Sequence, residues 1–268
     1  MYVEGNLRRM KVQTFDNLYV KYYLISNQQE PLLLNDFIGK EIKLQFTGVI
    51  NCILCGAVTK RSFAQGFCYS CMKSAPEAEE CVLKPELCKA HLGVARDIQY
   101  AQEHCLIPHY VYLANTGSVK VGVTRETQLP VRWIDQGAYE AIRVCKTPSR
   151  HIAGVIERHL MQIFSDKTSW KGMVSGIVDK EIDLIKLKSA AIEKLTLPMK
   201  QYVCDDDNVV QFNYPVKKYP FKPETITFDK TAAFEGELIG IKGQYLFFNA
   251  DRVFNVRRHS GYSYKLLF

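Results

Sequence analysis

The sequence predicts an α+β protein in which a cysteine-rich module and a compact α/β unit sit between β-rich N- and C-terminal segments. Three observations carry that expectation. Alternating β-branched and aromatic residues fill both ends, as in Glu41-Ile-Lys-Leu-Gln-Phe-Thr-Gly-Val-Ile50 and Gln244-Tyr-Leu-Phe-Phe248. Most of the cysteines fall between residues 52 and 108, where there is little periodic pattern. From Tyr110 onward, strand-like runs alternate with segments of helical period. The implied organisation is a β-rich segment at 1–50, a zinc-binding cysteine module at 51–108, an α/β domain with a trailing helix at 109–197, and a second β-rich segment at 198–268.

In the first segment, Leu18 to Ile25 and Glu41 to Ile50 read as half-buried strands, with breaks at Asn27-Gln-Gln-Glu-Pro31 and Asn35-Asp36. Phe37-Ile-Gly39 and Phe234-Glu-Gly236 are faintly alike, too faintly for a repeat. The likeness suggests that the two β-rich ends pair into one small barrel or sandwich.

The cysteines carry the strongest chemical signal. Cys52-Ile-Leu-Cys55 is followed, twelve residues later, by Cys68-Tyr-Ser-Cys71. Two such turns facing each other supply four soft ligands for a closed tetrahedral zinc site. The intervening stretch is too short and too polar to bury a core, so metal is expected to hold it together. A redox dithiol is the alternative. A second constellation, Cys81-x6-Cys88-x2-His91, follows closely, with its fourth ligand open to His104, Cys105 or His109. The plain alternative makes Cys105 a core thiol and both histidines ordinary polar residues near a strand entrance.

In the α/β unit a strand from Tyr110 leads through a turn at Asn115-Thr-Gly117 into a strand from Ser118 to Thr124. A short helix opens at Pro130 and closes at Gly137. A strand through Ala141–Cys145 follows, then a long helix from Pro148-Ser149 to about Phe164 and an amphipathic helix from Asp179 to Leu195, ended before Pro198. Beyond it, Thr225–Phe228, Glu237–Ile241 and Gln244–Phe248 are strand candidates, turning at Gly243 and Asn249-Ala-Asp251.

An apolar fraction of 47% and a charged fraction of 24% fit a soluble globular chain, and no apolar run reaches the ~18–20 residues of a membrane span. The N-terminal residues lack the apolar stretch of a signal peptide, so a cytoplasmic location is expected, with thiols or metal ligands rather than disulfides. A net charge of +7 with clusters at Arg8-Arg9, Lys217-Lys218 and Arg257-Arg258 allows a nucleic-acid partner, DNA or RNA.

Tyr110-Val-Tyr112, Lys120-Val-Gly122-Val-Thr124, Arg132-Trp133 and Glu157 resemble, in order and spacing, a GIY-YIG nuclease-type domain. The lysine before the second glycine is similar to the phage-type branch of that superfamily. Residues from roughly 50 to 175 resemble, more broadly, an uncharacterised bacterial zinc-cysteine family of unknown function. The resemblance implies a β-hairpin carrying Tyr112 and Lys120, a helix presenting Arg132, and a later helix whose Glu157 holds one magnesium ion. Lys120 stands where the family has its second tyrosine, and Tyr110 where the first tripeptide has its glycine. Ser169 and Lys171 are the candidates for the late polar residue of many family sites.

Phosphodiester cleavage needs an activated nucleophile, a Lewis acid and positive charge on the transition state, roles that Tyr112, Glu157 and Arg132 can fill. On the long helix Glu157 falls at the edge of the apolar arc, where a carboxylate is metal-bound or paired, with Arg132 or Arg150 as partner. Trp133, Tyr112 and Trp170 could stack on bases, although aromatics so placed are more often core. His151 and His159 read as surface residues. The expected function is therefore a magnesium-dependent endonuclease with structural zinc. The alternatives are a non-catalytic nucleic-acid-binding protein with a degenerate site and a zinc-dependent interaction module.

Overall fold

The computed structural model describes residues 1–15, 19–25, 30–167, 169–179 and 181–268. The expected break at Asn27-Gln28-Gln29, and Leu18 and Lys180 within expected elements, lie outside the described residues. In chain order the strands are β1 (Tyr2–Asn6), β2 (Lys11–Thr14), β3 (Val20–Leu24), β4 (Leu32–Leu33), β5 (Glu41–Ile50), β6 (His109–Asn115) and β7 (Val119–Arg125). They continue with β8 (Glu140–Thr147), β9 (Val210–Gln211), β10 (Glu224–Ile226), β11 (Ala233–Lys242), β12 (Tyr245–Phe248), β13 (Arg252–Asn255) and β14 (Tyr262–Leu267). The helices are α1 (Tyr69–Ser74), α2 (Ile98–His104), α3 (Val131–Asp135), α4 (Arg150–Leu160), α5 (Trp170–Val174), α6 (Leu184–Lys194) and α7 (Leu197–Lys200). The α+β class expected from the sequence is the class observed.

The chain divides into two compact units. The first comprises Met1–Lys73, Val174–Gly176 and Phe212–Phe268. Its main sheet runs β1-β14-β5-β11-β12-β13-β10, so strands from the two β-rich ends of the chain do pair. Of the small barrel or sandwich expected from that pairing, a closed barrel does not form. Closure would require β1 to pair with β10, and these edge strands have only five and three residues. Alternation along β14 buries Tyr262, Tyr264 and Leu266 and leaves Ser263 and Lys265 partly exposed. Phe228, Phe234 and Phe254 pack with ring centroids 5.0–6.2 Å apart, each pair contributing about 0.5–1.5 kcal/mol beyond area burial.

The second unit comprises Ser74–Met173 and Ile177–Gln211. The boundary at Lys73/Ser74 falls between the two cysteine sets, so the segment expected as one zinc module is shared between units. The unit's sheet runs β7-β6-β8-β9, with β6 antiparallel to both β7 and β8. Val111, Leu113, Val121, Ile142 and Val144 pack against Ala153, Ile156 and Leu160 of α4 to form its core. The short helix runs as expected: Pro130 precedes it, and Gly137, at φ +68°, takes the left-handed conformation just past its end. The long helix stops at Leu160, before the expected Phe164, and α6 starts at Leu184 because Asp183 caps it by accepting from the Ile185 and Lys186 N–H groups. Ser74 to Leu92 carries only the end of α1 and four short 3₁₀ turns.

Candidate metal centres and active-site cavity

The local chain explains how the first cysteine set assembles. Cys52 N–H donates to the Ala57 carbonyl at 2.8 Å and Gly56 N–H returns to the Cys52 carbonyl at 2.9 Å, which closes the first turn. Gly56 has φ +74°, a conformation that favours glycine there. Phe63 and Phe67 close the second turn by a pair of backbone hydrogen bonds, and α1 carries Cys71 back toward Cys68. The ligand atoms of Cys52, Cys55, Cys68 and Cys71 all lie within 4.8 Å of one another, with Cys55 and Cys68 sulfurs 3.9 Å apart. Tetrahedral zinc with Zn–S bonds of about 2.3 Å places its sulfurs about 3.8 Å apart, so the donor set fits the ion. Burial alone would raise the Cys52 thiol. The N–H groups of Cys55, Cys68 and Leu54 and the Cys55 side chain hydrogen-bond to its sulfur and bring it down to about 6.

The second set is Cys81, Cys88 and Cys105, all buried and also mutually within 4.8 Å. Hydrogen bonds from the Cys105 and Cys81 thiols pull Cys88 down to about 3, while hydrogen bonds with Cys81 and Cys88, reinforced by burial, drive Cys105 up. A divalent cation would replace the thiol protons. Among the described residues, the apolar cluster around these sulfurs comprises Ala90 and Ala101, with Ala95 packed against it, too little area to order the turns by burial.

Among the described residues, the structure brings Cys105 into this set and leaves His91, His104 and His109 outside it. His91 stacks on His151 with ring centroids 4.3 Å apart. His104 has Nδ1 3.0 Å from the Tyr100 carbonyl and stacks on that ring, because both lie one turn apart on α2.

Tyr112 of β6, Lys120 of β7, Arg132 of α3 and Glu157 of α4 all line one cavity of about 470 Å³. Tyr112 is fully buried. Gly122 lies directly opposite it in the hairpin, and a Cβ there would stand 2.5 Å from the Tyr112 hydroxyl, so glycine makes room for the ring. The β6–β8 register slips between Val111 and Tyr112, a bulge beside the site. Trp133 packs edge-on against Tyr112 and is buried, a core role rather than a base-stacking one.

Gln136, one helical turn beyond Arg132, joins two of the expected residues. With its amide oxygen toward Arg132, it accepts from Nε at 2.7 Å and Nη2 at 3.2 Å, and the Tyr112 hydroxyl lies 2.7 Å from the same oxygen. Lys120, 7% exposed, donates from Nζ to the Asp166 carbonyl at 2.8 Å. Burial, reinforced by Arg132, lowers this lysine to about 8.

Among the described residues Glu157 makes no ion pair with Arg132 or Arg150. Burial pushes its carboxyl up to about 7; Lys120 and Arg132 oppose the shift, and Glu86 and Asp166 add to it. Ser169 and Lys171 do not line the cavity. Asp166 does, as do Glu86, Lys84 and Arg158.

Glu86 arrives on the turn between Cys81 and Cys88, which forms a wall of the cavity. One face of α4 holds that turn. Arg150 Nη1 donates to the Cys81 sulfur at 3.4 Å, and its N–H donates to the Cys105 carbonyl at 2.8 Å. His151 Nδ1 lies 3.0 Å from the Glu86 carbonyl, so this histidine is engaged rather than a free surface residue. His159, half-buried, has Nε2 2.8 Å from the Lys194 carbonyl. Gly154 lets the Pro85–Glu86 backbone close against the helix. Nothing in the sequence marked Glu86 or Asp166 for the cavity; the Arg132-x3-Gln136 step was a readable signal for Gln136.

No helix among the described residues is long and apolar enough to cross a membrane. A family model described as "Protein of unknown function (DUF2797)" matches residues 39–264, and the chain belongs to that family. No curated protein and no solved structure matches the chain.

Proposed function

We propose that this protein acts on nucleic acid through a magnesium-dependent phosphodiesterase centre of the GIY-YIG type, with zinc in a structural role. The observation that carries the reading is the convergence of Tyr112, Lys120, Arg132 and Glu157, from four separate elements, on one cavity. The sequence of hairpin, arginine helix, third strand and glutamate helix supports it, as does the central position of β6 between β7 and β8.

In this reading Glu157 would hold a magnesium ion, which when bound would supply Lewis-acid charge at a phosphoryl oxygen. Arg132, fixed through Gln136, offers a planar fork to the phosphate, and Lys120 adds a point charge. The Tyr112 hydroxyl, held by the same amide, orients groups at the cavity floor. In this reading zinc would be held by Cys52, Cys55, Cys68 and Cys71 in the first set and by Cys81, Cys88 and Cys105 in the second.

The test incubates zinc-loaded protein with single- and double-stranded DNA and RNA, in magnesium or in EDTA, beside Glu157→Ala. Cleavage that requires magnesium and vanishes in the variant is the expected result. A second reading, a phosphate-gripping protein without cleavage, draws on the complete burial of Tyr112 and the engagement of Lys120 with Asp166. Salt-sensitive binding with no cleavage under any condition would select it. Absence of both would abandon nucleic acid as the partner.

A further inference from the structure

The cavity has two chemically different sides. Its polar side carries Lys120, Arg132, Arg158 and Glu157, suited to a phosphate and a divalent cation. The wall between Cys81 and Cys88 contributes Val82, Leu83 and Leu87, which are 42%, 87% and 45% exposed. Three large apolar side chains left open within six residues, all at one cavity, do not contribute to this unit's core. They offer a flat apolar contact to whatever the charged side binds.

Shape narrows the occupant. A volume of about 470 Å³ falls in the range of about 300–1,000 Å³ that takes a small molecule. A paired duplex is a convex rod whose bases are stacked inside it, and it can present a base to a concave pocket only by unstacking, at a few kcal/mol. A single strand presents phosphate and an unpaired base together, without that cost.

We propose that the cavity takes one unstacked nucleotide of a single strand, its base against Val82, Leu83 and Leu87 and its phosphate toward Arg132 and Lys120. The inference rests on the phosphodiesterase reading and specifies its substrate. The turn bearing the apolar residues is fixed at both ends by Cys81 and Cys88 and seated on α4, so the apolar contact is built into the site.

The experiment measures binding by fluorescence anisotropy, and cleavage on gels. It uses a labelled oligonucleotide of about 12 nucleotides, alone and annealed to its complement. Wild type and Leu83→Asp are compared; the position is so exposed that the variant keeps the fold. The single strand is expected to bind about tenfold more tightly than the duplex. Leu83→Asp should erase most of that preference, weakening single-strand binding several-fold more than duplex binding, which feels only the added charge. Duplex binding equal to or tighter than single-strand binding would overturn the inference, as would single-strand binding indifferent to Leu83→Asp. Glu157-dependent cleavage of duplex would then keep the phosphodiesterase reading while removing this substrate. Leu83-dependent single-strand binding without any cleavage would keep the substrate and remove the catalysis. No binding of either form removes both.

Discussion

Alanine at position 154 is expected to destabilise the protein, although alanine is the better helix former. Gly154 lies within α4, where helix propensity favours alanine over glycine by about 0.8–1 kcal/mol. A Cβ at this position would stand 2.1 Å from the Glu86 nitrogen, 2.3 Å from the Pro85 carbonyl carbon and 2.7 Å from the Pro85 Cβ. The first two are backbone atoms, so no rotamer change relieves them. The turn must lift by about 1.3 Å to restore ordinary contact at 3.4 Å. Overpacking costs about 1–3 kcal/mol, and a clash with backbone atoms that no rotamer relieves belongs to the upper part of that range, about 2–3, so a net loss of about 1–2 kcal/mol remains after the propensity gain. Because Cys81 and Cys88 flank the turn, the same displacement strains the second sulfur set. Urea denaturation of zinc-loaded protein, paired with chelator competition, should show a lower midpoint and easier loss of one zinc equivalent. A midpoint at or above wild type, with zinc retention unchanged, would refute the claim that the Pro85–Glu86 turn is seated on α4.

Three further outcomes follow from the same geometry. In metal-free protein the Glu157 carboxyl is held up from 4.5 to about 7, chiefly by burial, so the folded state keeps this proton longer than the unfolded chain. Its contribution to stability is present below about 4.5 and is lost as pH rises to about 7; the wild-type urea midpoint should fall relative to Glu157→Gln across that window, and a flat difference would mean a solvated carboxyl. Gln136→Leu leaves the Tyr112 hydroxyl and the Arg132 guanidinium without their shared acceptor, a loss of about 1–3 kcal/mol by chemical denaturation, and unchanged stability would rule out the bridge. Cys68→Ser should remove one zinc equivalent by elemental analysis and Cys105→Ser another, whereas full zinc content in Cys105→Ser would exclude that sulfur as a ligand.

Much of the site was legible because its signals are local. The C-x2-C spacing forces each pair of sulfurs onto one tight turn, and the two turns then need only to meet. Strand alternation marked β5 to the residue, and Pro130 and Gly137 bracket α3 because their backbone preferences are intrinsic. The order Tyr112, Lys120, Arg132, Glu157 could be read because each sits at a characteristic place on its element. The strands β1, β2, β4, β9, β13 and β14 were not read: most are short, and β1 and β14 pair with each other across nearly the whole chain.

By itself, then, the sequence determined the first cysteine constellation and two members of the second, the succession of most elements and the residue types at the cavity floor, because spacing, alternation and capping act over a few residues. Only the tertiary structure decided that Cys105 rather than His104 joins Cys81 and Cys88, that Gln136 ties Arg132 to Tyr112, and that the β-rich ends form an open sheet. It also decided that the Cys81–Cys88 turn forms a cavity wall. The physical reason is common to all four. Each depends on groups from separate segments meeting within a few ångströms, and such meetings are set by how packed elements exclude one another in space.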